Sequence, residues 1–295
     1  MRAVIDIGTN SVLLLLARRG PDGALEVLRD QSTITRLGQG AAASGMLAPS
    51  AIARTVDCLA EYRATAEAAG AERIIAVATE GVRMARNQRD FLEPAAEALG
   101  VAVRLLSGAE EAELSYLSVA RETPGGGALR VLDIGGGSTE LVVGEGTEVR
   151  AAASLAVGSV RMTERLFTAD PPTPEMLAAV RAEALAAFEA SMPMTPYPVL
   201  HALAGTATTT AALLLELAVY DRMKVDGSRF TVAQVQALRD ALAGETLAQR
   251  CERPGLERGR ADVIVAGVTI LLAALEHCGA DTLVVRDRGL RYALV

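Results

Sequence analysis

The chain has 295 residues, 51% of them hydrophobic, and a formal net charge of −7. That length predicts two domains, and the acidic balance argues against nucleic acid as a partner, because nucleic-acid binding leaves a basic footprint. The apolar runs at 12–17 and 211–215 fall far short of the roughly 20 residues a bilayer requires, so no membrane span is expected.

The chain opens Met1-Arg2-Ala3-Val4-Ile5-Asp6, with an acid where a signal peptide needs apolar residues. Three cysteines (Cys58, Cys251, Cys278) lack paired or metal-ligand spacing and read as buried, reduced thiols. Both features predict a cytoplasmic protein. From Val4 an apolar run reaches Asp6, turns through Gly8-Thr9-Asn10-Ser11 and returns as a second β-like run at 12–17. A helix is predicted over 47–69, capped by Ser50 and stopped at Gly70. A strand follows at 73–79, then a short helix to Arg86, a helix capped by Asn87 and ending near Leu99, a strand at 101–106 and a helix at 108–122. The tract Thr123-Pro124-Gly125-Gly126-Gly127 reads as a linker, giving domains 1–123 and 124–295.

Past the linker the opening pattern returns. Val131-Leu132-Asp133-Ile134-Gly135-Gly136-Gly137-Ser138 matches Val4 to Ser11 at five of eight positions, at an offset of 127 residues (Val4 to Val131). An offset of domain size predicts a duplication. Each copy reads as a β-hairpin whose glycine turn brings backbone N–H groups close to an anion. The aspartate would repel a bare phosphate, but it suits a divalent cation held between the two. The second half continues with strands near 129–156, helices at about 158–167 and 173–190, and a strand at 198–204. Four helical stretches then run to Gly279, before a last strand near Leu283. Strand clusters alternating with helices predict two α/β domains.

The two hairpins, Asp133 through Glu140 and Gly205-Thr206-Ala207-Thr208-Thr209 resemble the acetate-kinase/sugar-kinase/Hsp70/actin superfamily. Within it, the segments from Val77 to Asn87 and from Ser107 to Ala112 resemble the exopolyphosphatase / guanosine pentaphosphate phosphohydrolase family, in a short two-domain form without a C-terminal helical domain. Arg260-Ala261-Asp262 and Asp287-Arg288-Gly289-Leu290-Arg291 extend the resemblance over the whole chain. It implies two duplicated actin-like (ribonuclease-H-like) domains with an active-site cleft between them. The implied activity is release of terminal phosphate from polyphosphate, guanosine pentaphosphate or both by attack of water. A kinase-like phosphotransferase and a non-catalytic nucleotide or polyphosphate sensor are the alternatives. A homodimer is also compatible with the resemblance.

The resemblance implies a glutamate base at Glu110-Glu111. Ser107-x-x-Glu110 fits a capping box, which occupies Glu110 and leaves Glu111 as the catalytic group. Asp133 and Glu140 would hold Mg²⁺ or another divalent cation. Thr9, Asn10, Ser11, Arg83 and the Gly135-Gly136-Gly137-Ser138-Thr139 turn would contact phosphates, with Asp6, Gly205 and Thr206 as further candidates. The chain departs from the family at Val225-Asp226-Gly227, where a histidine is frequent, and at Val285-Arg286-Asp287-Arg288, where Ser-Asp is frequent. His201 and His277 have no evident partners and read as structural.

Overall fold

The computed structural model describes residues 1–21, 24–123, 125–193 and 195–295. Packing divides the chain into two units: Met1–Leu114 with Leu290–Val295, and Ser115–Gly289.

The first unit contains β1 (Arg2–Ile7), β2 (Ser11–Arg19), β3 (Leu25–Ile34), α1 (Ala41–Ser44), α2 (Pro49–Ala68), β4 (Arg73–Ala78), α3 (Glu80–Arg83), α4 (Gln88–Leu99) and β5 (Val103–Leu105), and it takes in the start of α5 (Gly108–Ala120). Its sheet has the order β3-β2-β1-β4-β5. β1 pairs antiparallel with β2 and parallel with β4. Leu14, Leu59, Tyr62 and Phe91 lie in one buried cluster between the sheet and the helices.

The second unit contains β6 (Ala128–Ile134), β7 (Thr139–Glu145), β8 (Glu148–Leu155), α6 (Ser159–Leu166), α7 (Pro174–Ser191), β9 (Val199–Leu203), α8 (Ala204–Leu214), α9 (Arg222–Val225), β10 (Arg229–Thr231), α10 (Val232–Ala243), α11 (Leu247–Cys251), α12 (Ile264–His277) and β11 (Thr282–Val285). Its sheet order is β10-β11-β9-β6-β7-β8. Apart from the edge strand β10, this repeats the first sheet, with β8, β7, β6, β9 and β11 standing for β3, β2, β1, β4 and β5. The register repeats as well. A bulge interrupts β2–β3 between Leu16 and Ala17, and another interrupts β7–β8 between Val143 and Gly144, at the same 127-residue offset. The chain is therefore an α/β protein of two duplicated actin-like units. α12 is buried from Ile264 to Leu275 and forms the centre of the second core. No helix among the described residues is long and apolar enough to cross a membrane.

Several local expectations change. Helix α2 begins with Pro49 at its first position and Ala48 as its cap, so Ser50 lies inside the helix. Asn87 precedes α4 but does not cap it. Its side chain instead makes two hydrogen bonds to the backbone of Leu47, at 2.8 and 3.0 Å. Cys58 and Cys278 are buried, and desolvation raises both thiols, Cys278 to about 12, whereas Cys251 is half-buried. Pro124 of the glycine tract lies outside the described residues. Gly127 accepts from the Gly146 amide at 3.2 Å, so this part of the tract belongs to the second unit. The first unit ends at Leu114, ahead of the 123/124 boundary, and the C-terminal residues return to it. Tyr292 and Val295 pack with Val4 and Leu15, and Arg291 makes a bidentate ion pair with Asp30 (2.7 and 2.9 Å).

Candidate active site

In the first unit the hairpin turn closes with a 3.0 Å hydrogen bond from the Gly8 amide to the Ser11 carbonyl. The Thr9 and Asn10 carbonyls are occupied. Thr9 accepts from the Gly38 amide (2.8 Å), and Asn10 accepts from the amides of Thr35 (3.1 Å) and Arg36 (2.9 Å). Among the described residues the amides of Thr9 and Asn10 donate to no protein acceptor. A turn whose carbonyls are tied back and whose amides point outward presents donors to an anion. Gly38 and Gly81 make room for it, since a Cβ on either would run into Thr9.

The two adjacent acids at the start of α5 have separate tasks. Glu110 Oε2 accepts from the Ser107 amide and hydroxyl, both at 2.8 Å, and the Glu110 amide donates back to Ser107 Oγ (3.2 Å). This is the predicted capping box. The Ser107 amide, helped by the Ser107 hydroxyl and Arg104, holds the Glu110 carboxyl below its usual range. Glu111 is 7% exposed, and its Oε2 lies 3.3 Å from Arg83 Nη1. Arg83 is anchored in turn, because the same Nη1 donates to the Leu106 carbonyl at 2.7 Å. Arg83 is therefore not a freely exposed helix charge. It fixes the direction of the Glu111 carboxylate.

The second unit repeats the turn with different support. Gly135 donates to the Ser138 carbonyl at 2.9 Å, matching Gly8 and Ser11. The Gly135 carbonyl accepts from the Ser159 amide (3.0 Å), and the Gly136 carbonyl from the Val160 and Arg161 amides (2.9 and 3.0 Å). Arg161 Nε donates to the Gly137 carbonyl at 2.9 Å. Here the first turn of α6 ties back Gly136 and Gly137, the counterparts of Thr9 and Asn10 that residues 35–38 tie back in the first unit, and Gly135 as well. The amides of Gly136 and Gly137 again have no protein acceptor among the described residues. Gly158 allows the close fit, because a Cβ there would meet the backbone of Gly136 and Gly137. Gly38, Gly81, Gly158 and Arg161 went unrecognised in the sequence. For Gly158, the only sequence signal was a glycine at the start of a predicted helix.

Asp133 lies directly opposite Glu140 on β6 and β7, and Glu140 lies opposite Ser154 on β8, so the three share one face of the sheet. Ser115 Oγ, from α5, donates to Asp133 Oδ2 at 2.6 Å, and Ser154 Oγ donates to Glu140 Oε1 at 2.7 Å. Glu140 is 1% exposed and is not a solvent-facing strand residue. Opposed carboxylates on neighbouring strands repel each other. A hard cation between them removes the repulsion, and an all-oxygen pair of this kind suits Mg²⁺, which commonly uses one or two carboxylates and completes its shell with water and phosphate oxygens. No group of three or more acidic, histidine or cysteine ligands occurs among the described residues. The donor set therefore fits a cation shared with a phosphate ligand, and does not fit a closed protein cage.

Other predicted residues take different positions. Thr139 is fully buried and its hydroxyl donates to the Val157 carbonyl, so the side chain braces the turn and is not presented as a phosphate donor. Ser138 is 4% exposed, which leaves its surface contribution to the backbone. Asp6 is 8% exposed on β1, at the position equivalent to Asp133. Gly205 opens α8 beneath the Arg260 guanidinium, where a Cβ would collide with it, and Thr206 is buried and packs against Gly267. Asp226, at the first family departure, accepts from Arg286 Nε (3.1 Å) and from the Asp287 amide (3.0 Å). Its carboxylate organises the second departing segment, so the two departures form one network. His277 is hydrogen-bonded with the Met192 carbonyl and stacks on Phe188. Burial, with Arg286 and Arg229 nearby, pushes His201 down to about 4. Both histidines are structural.

The Ppx/GppA phosphatase family model matches residues 17–295. The chain is 37% identical over 304 residues to Exopolyphosphatase 2 of Mycobacterium tuberculosis, covering 98% of this chain and 95% of that protein. The crystal structure of the Aquifex aeolicus member of the Ppx/GppA family superposes with a TM-score of 0.83 at 36% identity, over 99% of this chain and 95% of the other. An exopolyphosphatase-like protein superposes with a TM-score of 0.93 at 30% identity, over 100% and 96%. Matches of this extent show that the chain belongs to the Ppx/GppA phosphatase family.

Proposed function

We propose that this protein is an exopolyphosphatase that releases terminal phosphate from inorganic polyphosphate by attack of water, and that guanosine pentaphosphate is a second substrate. The observation that carries this reading is the separation of roles at the start of α5. Glu110 is consumed by the helix cap, while Glu111 is buried and aimed by Arg83. The 37% identity to Exopolyphosphatase 2 supports the substrate class.

In this reading Glu111 orients the attacking water and accepts its proton, and the ion pair with Arg83 holds the carboxylate in place. The outward amides of Thr9, Asn10, Gly136 and Gly137 bind phosphate oxygens, and Ser11 lies at the edge of its turn. Asp133 and Glu140 hold Mg²⁺ or a similar cation, which when bound neutralises charge on the phosphoryl oxygens. Positioning and neutralisation supply most of the rate in such reactions. The protein acts as a soluble cytoplasmic enzyme.

Each turn offers amides for only a few phosphate oxygens, and the net charge of −7 offers no long cationic track. Each phosphate beyond the turns adds an exposed ion pair worth about 0–1 kcal/mol. The enzyme should therefore act distributively and favour short chains. The test incubates the protein with Mg²⁺, without any acceptor, on short polyphosphate, long polyphosphate and guanosine pentaphosphate. Phosphate release is expected from all three, with a downward smear of intermediate lengths from the long polymer. No free phosphate, with the terminal phosphoryl group recovered on an added alcohol or carboxylate acceptor, would identify a phosphotransferase, and full-length polymer beside free phosphate would identify a processive enzyme.

A further inference from the structure

We propose that Ser115 and Ser154 are positioning residues for the cation at Asp133 and Glu140. The inference rests on the cation reading above. The four side chains form a continuous row, Ser115–Asp133–Glu140–Ser154, with serine donors at its ends and carboxylates in the middle. Each hydroxyl takes one oxygen of its carboxylate, at 2.6 and 2.7 Å, and this sets the direction of the other oxygen.

The duplication gives an internal control. In the first unit the equivalent row reads Asp6, Leu13, Ser32, with Leu13 opposite both Asp6 and Ser32. The aspartate and the β-edge serine are kept, and only the middle carboxylate is replaced. Ser32 thus has no carboxylate opposite it, whereas Ser154 does. The two donors also differ in setting. Ser115 is fully buried, while Ser154 is exposed on edge strand β8. Water can replace the Ser154 hydroxyl and cannot readily replace that of Ser115. The two deletions should therefore be unequal.

The test measures Mn²⁺ affinity of the full-length protein without substrate, by titration calorimetry or electron paramagnetic resonance, with melting temperature recorded in EDTA. Removing residues that orient metal ligands typically weakens affinity by about 10–100-fold. Ser115→Ala should lie near about 10-fold, Ser154→Ala near about 3-fold, and Ser154→Thr, which keeps the hydroxyl, within about 2-fold of wild type. A merely structural role would lower the melting temperature in EDTA and leave the dissociation constant in place. Wild-type affinity in both alanine variants would overturn the proposal. Asp133→Asn separates the two levels of failure. If it abolishes Mn²⁺ binding while the serine variants do not, the positioning role alone is wrong; if it too binds normally, the cation reading falls and the positioning role falls with it.

Discussion

Hairpins β1–β2 and β6–β7 share strand order, register, turn hydrogen bond and bulge position, yet differ where chemistry would occur. Opposite the aspartate the first copy has Leu13 and the second has Glu140. The carbonyls of the first turn are tied back by the loop at 35–38, those of the second by amides of α6 and the Arg161 side chain. On β4, opposite Val4, the first copy has Ile75, while on β9, opposite Val131, the second has His201. The duplicated fold thus has the same glycine turn twice and facing carboxylates once. The turn depends on backbone geometry that both copies need to fold, whereas the carboxylate pair depends on a single side chain.

The largest expected effect comes from making the second copy like the first. Glu140→Leu places the side chain that the equivalent site already accommodates, so the protein should fold, while phosphate release should fall by about 10²-fold or more as the site loses one of its two carboxylates. A steady-state assay across Mg²⁺ concentrations checks it, and a variant with ordinary activity and ordinary Mg²⁺ demand would remove Glu140 from the site. Asp133→Asn should raise the Mg²⁺ requirement sharply in the same assay, and full wild-type activity in excess EDTA would exclude a metal role altogether.

The supports of the two turns can be set against each other by denaturation. A Cβ at Gly158 meets backbone, which cannot move aside, while one at Gly38 meets chiefly the Thr9 side chain. Gly158→Ala should cost about 3 kcal/mol and Gly38→Ala nearer about 1 kcal/mol. Equal costs would show that α6 does not hold its turn more tightly than residues 35–38 hold theirs.

The His201–Ile75 difference predicts a pH effect of comparable size. The His201 imidazole falls from 6.5 to about 4 on folding, so the unfolded chain binds the extra proton. Its neutral form supports folding fully above about pH 6.5, and stability is lost as pH falls from there to about 4, by about 3 kcal/mol. His201→Ile, which imitates the first copy, should flatten that part of the stability curve. An unchanged acid slope would place the sensitivity elsewhere. The smallest effect belongs to Glu110→Gln, which should loosen the start of α5 by about 0.5–2 kcal/mol in thermal melts while leaving turnover close to wild type.

Much of this was legible in the sequence because it rests on local rules. The Asp-to-Ser match revealed the duplication, and Ser107-x-x-Glu110 separated the two glutamates. Other features depend on contacts between distant segments. Strand β3 is half-exposed, with Glu26, Arg29 and Asp30 breaking any alternation, so no periodicity marked it. Ser115 lies in a helix and Ser154 on an edge strand, and only the fold brings them to Asp133 and Glu140. Asn87 and Ser50 looked like caps by residue type. A distant partner, Leu47, claimed the first, and Pro49 displaced the second.

The central claim is that Glu111 activates water, and it is tested most directly by measuring phosphate release and polyphosphate binding together for wild type and Glu111→Gln. The replacement keeps size and hydrogen-bonding capacity and removes basicity, so release should fall by about 10²-fold or more with the dissociation constant for polyphosphate within about threefold of wild type. Release near the wild-type rate, or a loss explained entirely by weaker binding, would contradict it.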